Sequence, residues 1–219
     1  MRSLLPKLMA VVLVSIVAGC GGDDPDPTAR LRVLHASPDA PNVDVLVDGN
    51  KVLSNVPYSA VSSYLTLTAG THRITVNAAG TATTVIDVSP TLAADGAYTA
   101  IAANFVASIQ PLLATDQTQA PATGQSRLRV IHAAPDAGPV DILVNGQVVL
   151  SNVAFGAISS YLPLAAGNYN VQVNVAGTAT TAIQATVSLG SGVNYSAVAI
   201  GSVKTAASNP LGLKVLTDG

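Results

Sequence analysis

The 219-residue chain contains no glutamate and no tryptophan, and it has a single cysteine. One cysteine cannot close an internal disulfide, so covalent bracing of the fold is excluded. Charge is scarce too: ten Lys and Arg stand against twelve acidic residues, every one of them Asp. No basic cluster interleaved with aromatics occurs, which removes the electrostatic footing of nucleic-acid binding. Aromatic residues number six Tyr and two Phe, too few for the broad ring platforms on which glycan sites usually rest. Residues that favour exposed helix faces are rare, whereas Val, Thr, Ala and Gly abound, and that balance points to strands.

What is present begins with an address. The opening MRSLLPKLMAVVLVSIVAGCGG has a short basic region (Arg2, Lys7), an uncharged apolar stretch from Leu8 to Val17 and small residues at its end, the three-part layout of an export signal. The apolar stretch is too short for a membrane span, which takes about 20 residues. Val17, Ala18, Gly19 and Cys20 resemble the bacterial lipobox, in which the cysteine is lipidated and becomes the mature N-terminus. A signal peptide over 1–19 and a lipidated Cys20 are therefore expected, with the membrane as partner through that lipid. Gly21 stands where an aspartate would signal inner-membrane retention. In a two-membrane organism this directs the protein to the outer membrane, on its periplasmic or surface face. Residues 20–29, rich in Gly, Asp and Pro, read as a solvated tether. Without the signal, eight Lys and Arg face twelve Asp, a net charge of about −4.

The chain also repeats itself. Shifted by 97 positions, Arg30 aligns with Arg127, and the match runs without a gap to Thr84 and Thr181 with 35 of 55 positions identical. It continues weakly to Tyr98 and Tyr195 and then loses register where ASNPLG lengthens the second copy. Two domains follow, 30–115 and 127–219, joined by a polar, Pro- and Gly-punctuated linker over 116–126.

Within each copy the apolar pattern has period two. Leu31, Val33 and His35 share a face, and so do Val43, Val45 and Val47, with Asp44 and Asp48 pointing the other way. Turn signals such as SPDAP, DGN, TAGT and ADG separate the runs. About seven short strands per hundred residues, with no helical stretch, predict an all-β chain of two tandem antiparallel β-sandwiches, immunoglobulin-like or transthyretin-like.

The motif R-x-x-H-A-[SA]-P-D-A-x-x-V-D-[VI]-x-V-[DN]-G, followed by V-[PA]-[YF]-[SG]-A-[VI]-S-S-Y-L and A-G-x-[HY]-x-[VI]-x-V, resembles the bacterial DUF4397 domain. All of its elements occur from Arg32 to Val76 and again from Arg129 to Val173. The resemblance implies secreted or surface-anchored proteins and transfers no catalytic residue.

Six repeated polar residues are the candidates for a site: His35, Asp39 and Asp44, with His132, Asp136 and Asp141. In one reading the histidine sits at the rim of the core and hydrogen-bonds the SPDAP loop, while Asp39 accepts from backbone N–H groups just beyond it. In the other, imidazole and carboxylates gather around a divalent ion or another small ligand. Strand alternation turns Asp44 away from the Val43 face, and each loop has one histidine, so no metal and no cofactor are expected. His72 aligns with Tyr169 and reads as a half-buried packing position. Ser62, Ser63 and Tyr64, with Ser159, Ser160 and Tyr161, lie in a strand-like run and not in a nucleophile elbow. Tyr58, Tyr64 and Tyr98 read as strand anchors, as do Phe155, Tyr161 and Tyr195. The acidic loops lack the regular oxygen spacing of a calcium site.

The expected function is non-catalytic: a lipid-anchored module of the cell envelope with a structural, adhesive or binding role. The alternative is a binding module for envelope glycans or a divalent cation through the repeated HAxPDA loops, with an envelope protein or glycan as partner. An envelope hydrolase is the weakest-supported class.

Overall fold

The computed structural model describes residues 25–205 and 207–219. The signal segment and residues 20–24 of the expected tether, Cys20 among them, lie outside the described residues, and the tether's last two residues, Thr28 and Ala29, already belong to a strand. Two β-sandwiches follow one another, as the repeat predicts. The first comprises β1 (Thr28–His35), β2 (Val43–Val47), β3 (Asn50–Val56), β4 (Leu65–Thr68), β5 (Gly70–Thr71), β6 (Ile74–Ala78), β7 (Thr84–Val88), β8 (Thr91–Leu92), β9 (Ala97–Ala103) and β10 (Gln110–Asp116). The second comprises β11 (Gln125–His132), β12 (Val140–Val144), β13 (Gln147–Val153), β14 (Leu162–Ala165), β15 (Gly167–Val175), β16 (Thr181–Leu189), β17 (Val193–Ile200) and β18 (Gly212–Asp218).

Each domain stacks two four-stranded sheets, in the orders β10-β9-β1-β4 and β3-β2-β6-β7, and in the second copy β14-β11-β17-β18 and β13-β12-β15-β16. Pairing is antiparallel except for β1 with β9 and β11 with β17, which run parallel. The Asp48–Gly49 and Asn145–Gly146 dipeptides close the β2–β3 and β12–β13 hairpins with left-handed backbone at both residues, the requirement of a two-residue primed turn. Strand alternation then sorts the side chains. Leu31 and Val33 enter the first core with Val43, Val45, Ile74 and Val76. Leu128 and Val130 enter the second with Val140, Ile142, Val171 and Val173.

The even-numbered residues of β1 face the other domain. Leu34, Ala36, Ile101 and Ala114 of the first copy pack with Ile131, Ala133, Val198, Ile200 and Leu216 of the second in a third core. The sheets carrying β1 and β11 therefore lie face to face, and the two domains share one buried seam. Strand structure also extends further than the predicted linker implies: Asp116 ends β10, and Gln125 already opens β11.

The copies differ along one edge. In the second, β15 and β16 run unbroken for nine residues each, and β16 packs against β18. In the first, the chain breaks at His72–Arg73 and at Ser89–Pro90, splitting each long strand into a short pair. Pro90 has no N–H to give to a ladder. Its counterpart by the 97-residue shift, Val187, is buried in the second core.

Candidate functional site

The repeated loop begins at a buried histidine. His35 ends β1 with no exposed surface. Its Nε2 donates to the Pro41 carbonyl at 3.0 Å, and its Nδ1 accepts the Ser37 N–H at 3.3 Å. His132 repeats the arrangement with the Gly138 carbonyl at 2.8 Å and the Ala134 N–H at 3.3 Å. Only the neutral tautomer protonated at Nε2 meets both demands, so neither nitrogen keeps a lone pair for an ion. Burial holds both imidazoles below their ordinary pKa, against the opposing pull of the accepting carbonyl. An aromatic edge completes each pocket: the rings of Tyr58 and Phe155 each stand 6.2 Å from their histidine.

The aspartates serve distant backbone. Asp39 was expected to bind N–H groups just beyond it, but its Oδ1 accepts from Val106 N at 2.7 Å, at the start of the 3-10 turn Val106–Ser108. Asp136 does the same with more partners, taking Ser202 Oγ, Val203 N and Lys204 N, each at 2.9 Å. In both copies the carboxylate thus reaches the connection between the last two strands of its domain. Burial works against ionisation of Asp136, yet these donors outweigh it and lower its pKa.

Asp44 and Asp141 face away from the core, as strand alternation predicts, and each pins two turns. Asp44 accepts Asn55 N at 2.8 Å and Gly80 N at 3.2 Å, and pairs with Lys51 Nζ at 2.6 Å. Asp141 accepts Asn152 N at 2.8 Å and Gly177 N at 2.9 Å, while Val148 takes the place of the lysine. Lys51 first, then the backbone donors, holds Asp44 down to about 2. Asn55 and Asn152 adopt left-handed backbone at φ 54° and 53°, a conformation asparagine tolerates. Among the described residues, no three His, Cys or Asp side chains converge into a cluster able to hold a metal ion.

Other candidates also find internal partners. His72 Nε2 donates to the Thr68 carbonyl at 2.8 Å and its Nδ1 meets Asp48 Oδ2 at 2.6 Å. Tyr169 uses its hydroxyl on the equivalent carbonyl, Ala165 O, at 2.8 Å. Ser62 Oγ accepts Val33 N at 3.0 Å and donates to Ser63 O at 2.8 Å, in an irregular segment ahead of β4 where a strand was expected; Ser159 repeats both bonds. The tyrosines go to separate places: Tyr98 caps Ala93 N at 3.0 Å, as Tyr195 caps Gly190 N at 2.9 Å.

Tyr64 and Tyr161 lead to a feature the sequence reading missed. Arg32, on the seam face of β1, donates Nε to Thr99 Oγ1 at 2.9 Å and Nη1 to the Thr217 carbonyl at 2.7 Å, and pairs through Nη2 with Asp218 of the other domain. Arg129 mirrors it: Nε to Ser196 Oγ at 2.6 Å, Nη1 to the Thr115 carbonyl at 2.7 Å, Nη2 to Asp116. Each aspartate is further held within its own domain, Asp116 by Tyr64 at 2.6 Å and Thr99 at 2.7 Å, Asp218 by Tyr161 at 2.7 Å and Ser196 at 2.6 Å. The tyrosine rings lie beneath the guanidinium groups at 4.8 and 4.9 Å. Burial, reinforced by the aspartate, pushes both phenols far above their usual range. Four buried charges thus clasp the domains with approximate twofold symmetry. A signal for them is present in the sequence: in a chain so poor in charge, an arginine between two core residues recurs at both β1 and β11, and the LKVLTD and PLLATD echo ends in the matching aspartates.

The lengthened loop of the second copy adds a contact without a twin, Asn209 Nδ2 donating to the Pro38 carbonyl at 2.6 Å. It straps the first copy's SPDAP loop to the second domain. Gly201 makes room for it, with φ at 94° and the Pro210 carbonyl oxygen in the space a Cβ would need.

A family model described as a domain of unknown function, DUF4397, matches residues 29–142 and again 128–219. The chain belongs to the DUF4397 family. No curated protein matches it. In both DUF4397 copies, the six candidate residues and their recurring neighbours are bonded within the fold: His35 and His132 and the loop and strand aspartates chiefly to backbone, Ser62 and Ser159 to β1 and β11, and Arg32, Arg129, Tyr64 and Tyr161 to the clasp. Chemically, the arrangement fixes loops and joins domains.

Proposed function

We propose that this tandem DUF4397 protein is a non-catalytic, lipid-anchored module of the cell envelope. Lipid on Cys20 holds it at the membrane, the tether between Cys20 and the start of β1 at Thr28 sets it off the surface, and the two domains act as one structural or adhesive body. The observation that carries this reading is the reciprocal clasp. Arg32 with Asp218 and Arg129 with Asp116 make the copies one unit, as a spacer or adhesin needs. Two tests apply. Cys20→Ala should move the protein from the membrane fraction to the soluble fraction, and continued membrane retention would overturn the anchor. Thermal unfolding should be indifferent to calcium, zinc and envelope glycans. A dose-dependent rise following mass action would replace the structural role with ligand binding.

One observation favours that second reading in the first copy. Asp39 is exposed and engages a single donor among the described residues, where Asp136 engages three. A loop carboxylate with spare acceptor capacity is a fit for a glycan hydroxyl or a divalent cation.

A further inference from the structure

The first domain holds a cavity of about 270 Å³ between its two sheets. Its floor is core: Val45, Ile74 and Val76, all buried. Its mouth lies between β7 and β10, with Val88 on one side and Leu113, 39% exposed, on the other. Ser89 at the rim is the one polar side chain along it, and no ring and no charge line it. The size lies above the roughly 150 Å³ of an engineered apolar cavity that takes up benzene, and close to the lower bound of about 300 Å³ for ordinary ligand pockets.

The second domain shows what this space looks like when side chains fill it. There Val187 occupies the Pro90 position and is buried, and Leu213, opposite Ala199 as Pro111 is opposite Ala102, packs against the core together with Leu211. β16 meets β18, whereas β7 and β10 scarcely touch. The opening in the first domain thus comes from the Ser89–Pro90 break on one side and the small, exposed Pro111 on the other.

We infer that this cavity is a binding site for the alkyl chain of a soluble monoacyl amphiphile, a free fatty acid of medium length. The lining selects the chemistry. Aliphatic walls without a donor inside reject a polar group, and a slot between sheets fits an unbranched chain better than a ring. A carboxylate head group stays at the mouth beside Ser89, in water. The inference goes beyond the envelope role and does not depend on the anchor.

The absence of tryptophan makes the test direct. Leu113→Trp places a sole indole at the mouth, on a partly exposed position that tolerates it. Titration with decanoate, monomeric at the concentrations used, should give a saturable blue shift, and affinity should rise about fourfold for each methylene added from octanoate upward. Ala100→Leu, which fills the cavity, should abolish the shift while leaving the melting temperature equal or higher. The unmodified chain, titrated with decanoate labelled at its methyl carbon, supplies a second readout by NMR should either variant fail to fold. No saturable response in either readout, a response unchanged by Ala100→Leu, or a response to phospholipid vesicles alone would overturn the inference.

Discussion

The two domains share a fold, a strand order and 35 of 55 residues over their first part, yet one is closed along an edge where the other is open. The difference traces to a few positions. Proline at 90 against valine at 187 decides whether a strand runs on or stops, and a five-residue lengthening in the second copy brings Leu211 against its core. Where the copies are bound to each other they have stayed alike, in the arginine, the aspartate, the tyrosine and the hydroxyl that complete the clasp. Along the edge where β16 meets β18 and β7 scarcely touches β10 they have diverged. The lesson is that the polar clasp constrains both copies at once, whereas the apolar residues around it, such as Leu34 against Ile131 and Ala114 against Leu216, change shape or size from one copy to the other.

The strongest way to break the comparison is at the seam. Arg129→Ala leaves the buried Asp116 with only the more distant Arg32, 3.7 Å away, and should cost about 3–5 kcal/mol. Arg32→Ala should cost the same within the error of urea unfolding, because the two halves of the clasp are equivalent. Replacing Arg129 and Asp116 together by Met and Leu should recover most of that loss; a double variant as unstable as the single one would contradict the assignment.

Next come the loop histidines. His35→Ala and His132→Ala each leave a buried carbonyl and a buried N–H without partners, and each should lower stability by about 1–3 kcal/mol, seen as matching drops in melting temperature. A smaller effect, of opposite sign, is expected at Tyr58. Its hydroxyl is buried beside the Gly201 backbone and makes no well-formed hydrogen bond, whereas the second copy has Phe155 there. Tyr58→Phe should therefore be neutral or stabilising by up to about 1 kcal/mol, measurable in the same unfolding curves.

The smallest effect is one of pH. Burial lowers the pKa of His35 and His132, so what they contribute is present above about pH 6.5 and is lost as pH falls through their folded values. His72 runs the other way. Asp48 raises its pKa, so its contribution is present below about pH 6.5 and is lost as pH rises through its folded value. His72→Tyr, which gives the first domain the residue of the second, should make stability climb more steeply with pH between 6 and 7.5. An unchanged slope would show that the Asp48 pair does not couple to folding.

Much of this architecture was legible in the chain. The 97-residue shift and the period-two runs contained the two sandwiches, because side-chain alternation is local and survives in every strand. The candidate residues were legible as well: His35, Asp39 and Asp44 recur with their spacing intact. Their partners were not. Asp39 binds an N–H 67 residues away, and Arg32 pairs with an aspartate 186 residues away, separations that no local pattern encodes. Asp116 was assigned to the linker because it is a polar residue beside a polar stretch. Its burial comes from a domain that the stretch itself connects. The parallel pairing of β1 with β9 was equally invisible, since alternation is the same in either direction.

The clasp also has a consequence in time. Strand β1 is synthesised long before β18, yet Arg32 of one receives its closest counter-charge from Asp218 of the other. Until β18 arrives, the leading domain carries an arginine on a sheet face destined for burial, with Asp116 at 3.7 Å beside it and its closer partner still unmade. Maturation of the first copy is therefore gated by delivery of the second, and a chain halted in transit would present an unfinished, charged face to whatever disposes of incomplete proteins.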